Sequence, residues 1–329
     1  MPNVVLRFAA FAAALFCTTS VLAQTTAGGA NFPAKPMRML VGFPAGGPAD
    51  FFARAIAQKM TEIIGQQVVV DNRAGVSGMI AAELVARAPA DGYVMYFAGT
   101  GVLTFAPNLY AKLPIDVAKE LAPVTLAVTV PEMLVVHPSL PVKTARELVA
   151  LAKSKPGQLS YGSTGNGGMP HLAVESLRTA AGIQLVHVPY KGAAPAVIDL
   201  LGGHVLFTIL DVPVLLPHVK AGKLRALAVA TAKRQAALPE VPTMTEAGYP
   251  SVRADNWYGV VVAAATPKDI TAKLHAALVK ALDAPDTKER LMSQGAESRS
   301  TTPEQFAVFI REETATWGKI IKAAGVTLD

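Results

Sequence analysis

Residues 162–172, Gly-Ser-Thr-Gly-Asn-Gly-Gly-Met-Pro-His-Leu, carry the most chemistry in this 329-residue chain. They follow a strand-like run, Gln158 to Tyr161, and lead into a helix-like one, His171 to Ala180. A glycine-rich turn at such a junction leaves backbone N–H groups bare at a helix N-terminus, where an anion can sit. Ser163 adds a hydroxyl, Asn166 a side-chain amide, and Gly165 and Gly167 main-chain donors. A second turn of this kind, Phe43-Pro44-Ala45-Gly46-Gly47-Pro48-Ala49-Asp50, lies far upstream. Its paired glycines turn tightly, Pro48 fits the first turn of a helix, and Asp50 is placed to cap or orient the loop. An ordinary strand-to-helix turn has the same residues. Two together suggest capture of a small acid.

Other chemistries find less support. No Gly-Lys-Ser/Thr follows the first turn, so it is not a nucleotide P-loop. Ser163 lacks the glycine two places earlier that a hydrolase nucleophile elbow needs; Tyr161 stands there. Gly99-Thr100-Gly101 resembles part of a dinucleotide fingerprint, but Thr104 occupies the place of its third glycine. The six histidines show no zinc-type spacing. His171, one turn into a helix, is either a base or a structural hydrogen-bonder. Lys191 in Pro189-Tyr190-Lys191-Gly192 reads as a turn lysine rather than a Schiff-base former. Asp211 ends an apolar strand, as a binding residue would, and equally suits the N-cap of a helix over Val212 to Ala221. No cofactor and no metal is expected.

The N-terminus reads as a secretory leader: Arg7, then the apolar Phe8 to Val21, then Val21-Leu22-Ala23. Cleavage near Ala23 is expected, since the apolar stretch is shorter than the ~20 residues of a spanning helix. Cys17 lies inside the leader and is the only cysteine. The mature chain then has no disulfide, thiolate metal site or cysteine nucleophile. Hydrophobic residues make up 51% and charged residues 16%, enough apolar material for two domains. The formal charge of +6 is scattered, without the basic stripe that nucleic-acid binding would suggest.

From Met37 onward strand-like and helix-like runs alternate. Strands are expected at 37–43, 68–72, 93–98, 159–162, 185–190, 205–210 and 224–230. Helices are expected at 49–64, 79–88, 144–154, 270–281 and 303–323, the first with Phe52, Ile56, Met60, Ile63 and Ile64 on one side. The alternation argues for a parallel α/β sheet covered by helices. Two longer apolar stretches, Val124 to His137 (interrupted by Pro131-Glu132) and Trp257 to Ala264, are candidate crossings between two units. The resulting division is a signal peptide 1–23, a flexible lead-in 24–34, one lobe of 35–129 plus 254–329, and a second of 130–253. Both glycine-rich turns fall at strand ends facing the cleft, where ligands bind such sheets.

Several segments together resemble the Bug-type (TctC-like) solute receptors of tripartite tricarboxylate transporters, over essentially the whole mature chain. They include PAGGPAD (44–50), VVVDNRAGVSGMIAAELVARAPADGY (68–93), HPSLPVKTARELVALAKSKPGQLSYGSTGNGG (137–168), HVPYKGAAPAVIDLLGGHV (187–205) and LPEVPTMTEAGYP (238–250). The resemblance implies a type II periplasmic binding-protein fold, a Venus flytrap of two lobes joined by two crossing strands. It implies a periplasmic monomer without catalytic activity, which holds a carboxylate mainly by backbone groups and hands it to membrane transporter subunits or presents its closed form to a sensor. Gly46, Gly47, Gly99, Thr100, Ser163, Gly165 and Gly167 map to the family's ligand turns, with Asp50 supporting. Three departures remove polar side-chain atoms: Val102 stands where a hydroxyl residue is common, Gly168 where serine is usual, and Leu210 where aspartate is frequent. Asp211 is one place later and so on the opposite face of a strand. A ligand with an apolar body, an aromatic or aliphatic carboxylate or dicarboxylate, is therefore expected. A secreted enzyme using His171 or Asp211 is the alternative.

Overall fold

Ten strands among the described residues make one mixed sheet. They are β1 (Met37–Val41), β2 (Val68–Asn72), β3 (Val94–Gly99), β4 (Leu121–Val136), β5 (Ser160–Ser163), β6 (Val186–Pro189), β7 (Phe207–Asp211), β8 (Arg225–Val229), β9 (Asp255–Ala263) and β10 (Glu297–Ser298). The structure is a computed structural model and describes residues 32–235 and 237–328; the expected leader and its cleavage near Ala23 lie outside them. From Lys35 onward the chain is one compact unit. The strand order is β2-β1-β3-β9-β4-β7-β5-β6, with β8 and β10 also on β4.

The sheet has two halves because β4 changes partners along its length. Residues Leu121 to Pro131 pair antiparallel with β9. Residues Glu132 to Val136 pair antiparallel with β7, and Met133 to Val136 also with β8. Pro131, which has no N–H for a ladder, occupies the last position on β9 before the change. The residue pattern suggests a break at Pro131-Glu132; the strand runs through it unbroken. Within each half the shorter strands are parallel, β1 with β2 and β3, β5 with β6 and β7. The crossing strands run antiparallel to their neighbours, so the sheet is mixed rather than wholly parallel. The reason is that β4 and β9 carry the chain in opposite senses between the halves.

Helices form where the pattern and the caps agree. Pro48–Ile64 begins with Pro48 in its first turn and ends at Gly65, whose left-handed φ of 69° lets its N–H reach Thr61 O. It buries Phe52, Ile56 and Met60, but Ile63 in the last turn is 37% exposed, so the apolar stripe stops one turn earlier than its pattern suggests. Pro303–Ala324 opens with a capping box between Thr302 and Gln305. Its Phe306 packs with Trp257 of β9 in one core cluster, while its Trp317 and Ile321 join Tyr161, Met169 and Phe207 in another. Burial of each such ring stabilises the fold by about 1.5–3 kcal/mol.

Candidate functional site: an uncharged cavity at the strand ends

Two families of turns meet across a cavity of about 220 Å3. From the first half of the sheet come Phe43 after β1, Gly99 and Thr100 at the end of β3, and Ser77. From the second come Thr164 to Pro170, the turn between β5 and the Met169–Ala181 helix. The crossing strand β9 contributes Asn256 and Tyr258. Phe105, Leu109 and Tyr110 close an apolar side. Among the described residues, none that lines it is Lys, Arg, His, Asp or Glu. A larger groove, about 930 Å3, runs along Ala307 to Lys322 and is mostly apolar. It contains neither glycine-rich strand end, so it lacks converging backbone donors.

Hydrogen bonds within the protein brace each turn. Gly46 N–H donates to Asp50 Oδ2 at 2.9 Å, and Arg54 Nε donates to the same oxygen at 3.0 Å. Asn72 Nδ2 holds Phe43 O at 3.1 Å. Burial alone would raise the Asp50 carboxyl, but the bonds from Arg54, Gly46 and Asn72 outweigh it and hold it below the usual carboxylate range. At the end of β3, Thr100 Oγ1 accepts from Trp257 N at 3.0 Å and lies within 3.2 Å of Trp257 O and Asn256 Oδ1. That hydroxyl pins β3 to β9, which leaves the backbone of Thr100 and Gly101 facing the cavity at the start of the Gly101–Phe105 π turn.

The second turn stands on two histidines. Ser163 Oγ is 2.7 Å from His187 Nε2 and accepts from Gly165 N at 3.2 Å. Gly167 N–H donates to His171 Nδ1 at 3.0 Å. The imidazoles stack with ring centres 4.0 Å apart. Burial first, and then His171 beside it, lowers His187 to about 4; burial likewise lowers His171. Both are neutral at pH 7, as the acceptor role of His171 Nδ1 toward Gly167 N–H requires of that ring. Gly168 is the N-cap residue of the helix, with extended φ of −77° and Pro170 in the first turn. The unpaired N–H groups of that turn and the exposed Asn166 amide are the donors left for an anion.

Of the residues singled out from sequence, Phe43, Gly99, Thr100, Gly165, Asn166 and Gly167 line the cavity together. Gly46, Gly47, Ser163, Val102 and Asp211 do not. Gly47 is the N-cap residue of Pro48–Ile64 and Gly46 is bound to Asp50. Ser163 is fully buried beneath its turn, and Val102, 1% exposed, packs in the core with Tyr96 and Trp257. Asp211 occupies the N-cap position of Val212–Lys220 without capping it by a side-chain bond; it stands opposite Glu132 of β4 in the antiparallel register. His171 and Asp50 act as braces. Sequence reasoning passes over Ser77, Asn256, Tyr258 and His187. Ser77 has a signal: it lies between Gly75 and Gly78 ahead of a helix, and its φ of 53° is left-handed, a strained conformation for a residue with a side chain.

Residues 52–326 match the family described as tripartite tricarboxylate transporter family receptor. Protein BugT of Bordetella pertussis (strain Tohama I) is 36% identical over 301 residues, which cover 91% of this chain and 92% of BugT. The solved structure of R. palustris Rpa4515 with adipate is similar at a TM-score of 0.81 and 36% identity, over 90% of this chain and 99% of that one. MatC (Rpa3494) from Rhodopseudomonas palustris, with bound malate, gives 0.77 at 30% identity, over 88% of this chain and all of its own. Sequence and fold thus agree, and the chain belongs to the tripartite tricarboxylate transporter receptor family.

Proposed function

We propose that this protein is a periplasmic receptor that captures a small organic carboxylate between two lobes and delivers it to membrane transporter subunits. The observation that carries this reading is the uncharged cavity with strand-end turns from both halves of the sheet around it, Gly99 to Gly101 and Thr164 to Pro170. A carboxylate there is held by main-chain N–H groups and helix N-termini, each charge-assisted bond contributing about 1.5–3 kcal/mol. The walls of Phe43, Phe105, Leu109 and Met169 favour an aromatic or aliphatic body. Relatives holding adipate and malate support an acid as the ligand class.

The lobes are 35–129 plus 254–329 and 130–253, hinged where β4 changes partners and where the chain enters β9. The Pro303–Ala324 helix touches two core clusters and would act as a spine along the hinge. No turnover is assigned. The Ser163–His187 pair is braced below the turn, and the serine hydroxyl does not line the cavity. Mass spectrometry of small molecules released from the purified protein, followed by calorimetry with a panel of acids, tests the reading. One-to-one binding of an unchanged carboxylate is expected. Conversion of the acid, or no binding by any acid, would reject it.

A further inference from the structure

Glu132 and Asp211 are direct register partners on the antiparallel strands β4 and β7, where the two halves of the sheet join. Their carboxyl groups meet. Glu132 is completely buried. Both Glu132 oxygens and Asp211 Oδ1 are shut off from solvent with no donor among the described residues, so the contact is satisfied only when one of the two carries a proton. Among the described residues, no cation pairs with either carboxyl. The other ionisable groups around them are Asp255 and Tyr258 from β9; around Asp255 lie Arg253, Glu297, Arg299 and Glu313.

This acid pair adjoins the cavity. Asn256 pairs with Val130, two residues before Glu132 on β4, and Asp211 pairs with Glu132 itself, so these side chains share one face of the sheet; Asn256 Oδ1 receives Thr100 Oγ1 at 3.2 Å. Asn256, Tyr258 and Thr100 all line the cavity. One wall is therefore backed by acids on the neighbouring strands, and no lining cation among the described residues offsets them. A charge in such a low-dielectric setting acts over several ångströms with little screening.

Building on the receptor reading above, we infer that the Glu132–Asp211 pair is a charge filter: the cavity accepts an acid with one ionised carboxylate and rejects a second carboxylate directed at Asn256 and Tyr258. Burial raises Asp211 to about 6 and Glu132 well above the normal range. The pair thus bears about one negative charge above pH 6 and is discharged below it. The filter strengthens as pH rises.

Calorimetry with adipate and with its monomethyl ester, at pH 5 and pH 8, tests this. The two probes share length and one carboxylate and differ in the second charge. The ester is expected to bind within about threefold at both pH values. Adipate is expected to bind at least tenfold more weakly than the ester at pH 8, and Asp211→Asn to narrow that ratio at least tenfold. Adipate binding at pH 8 as tightly as the ester overturns the filter and leaves the receptor reading intact. An unchanged ratio in a folded Asp211→Asn protein also overturns it. If neither these probes nor any other acid binds, both readings fall. The wild-type comparison decides the question even where the variant does not fold.

Discussion

Ser163 Oγ and His187 Nε2 are 2.7 Å apart, and this contact fixes the turn that faces the cavity. The serine also accepts Gly165 N–H, so one buried hydroxyl couples the turn to a neutral imidazole. His187 in turn lies on His171, which holds Gly167. The glycine turn is rigid because of side chains beneath it, although the groups offered to a ligand are main-chain.

Acid should loosen this brace. His187 is lowered from an unfolded value near 6.5 to about 4. The unfolded chain binds the proton more readily, so this contribution is present above pH 6.5 and is lost as pH falls through about 4. A tenfold change in proton affinity corresponds to about 1.4 kcal/mol, and His187 keeps some exposure, which reduces the effect. The loss is then on the order of 1–3 kcal/mol. His187→Gln is expected to lower stability at pH 7 and to flatten the fall between pH 6.5 and 4 in chemical denaturation. A fall as steep as in the parent protein would argue against it.

Asp255 gives the opposite sign. Burial raises it to about 6, Arg253 opposes this, and Glu313 and Glu297 add to it. A carboxyl raised on folding favours the native state fully below about pH 4, and that advantage is lost as pH rises through about 6. Asp255→Asn is therefore expected to gain on the parent protein as pH increases from 4 to 7, by about 1–3 kcal/mol. Thermal unfolding at each pH gives the difference; a gap that shrinks with pH would contradict the assignment.

Two glycines with similar φ should respond differently to alanine. Gly46 has φ of 83° and open space around a would-be Cβ, whereas at Gly167, φ 71°, a Cβ would lie 2.7 Å from Leu328 Cδ1 and 2.8 Å from Leu109 Cδ1. Left-handed strain alone costs about 1–2 kcal/mol. Overpacking adds about 1–3 kcal/mol at Gly167 and pushes the turn toward the cavity. Gly167→Ala is expected to weaken ligand binding at least tenfold, with Gly46→Ala losing stability but under threefold in affinity. Equal affinity losses would show that the packing around Gly167 is not what sets the turn.

Much of this is legible in the residues. The strand at 68–72 agrees to the residue, and the helix starting at Pro303 agrees within one residue at its end. The turns at 43–50 and 162–172 are recognisable because glycine, proline and small polar residues have few other uses in such a cluster. What is not legible arises from pairing. Whether Asp211 caps its helix or meets Glu132 depends on the β4–β7 register, since the two residues are 79 positions apart in sequence. His187 looks like an isolated strand residue because its partner, Ser163, is on a neighbouring strand. Local sequence suggests that Gly46, Gly165 and Gly167 offer N–H groups to a ligand; side chains that no local pattern reveals occupy those donors.

The C-terminal tail reaches back to the cavity. Leu328 N–H donates to Leu109 O at 2.8 Å, and the Leu328 side chain lies against Gly167. Val326 and Leu328 pack on the core that holds Phe105, Leu109 and Met169, three residues that also line the cavity. The tail therefore ties the apolar wall to the glycine turn after the Pro303–Ala324 helix has ended at Gly325. Removing residues 326–329 deletes two backbone bonds, Val326 N–H to Ile321 O and Leu328 N–H to Leu109 O, each worth about 0.5–1.5 kcal/mol, and about 1.5–3 kcal/mol for each apolar side chain to the extent that it is buried. Global unfolding is expected to shift by only a few degrees, because the sheet and most of the core remain. Affinity is expected to fall by a larger factor, about tenfold, because Leu109 and Gly167 lose the residue that holds them together. Calorimetry and thermal unfolding on the same truncated protein separate the two effects. Full affinity with a large loss of stability would mean that the tail serves the core and not the cavity.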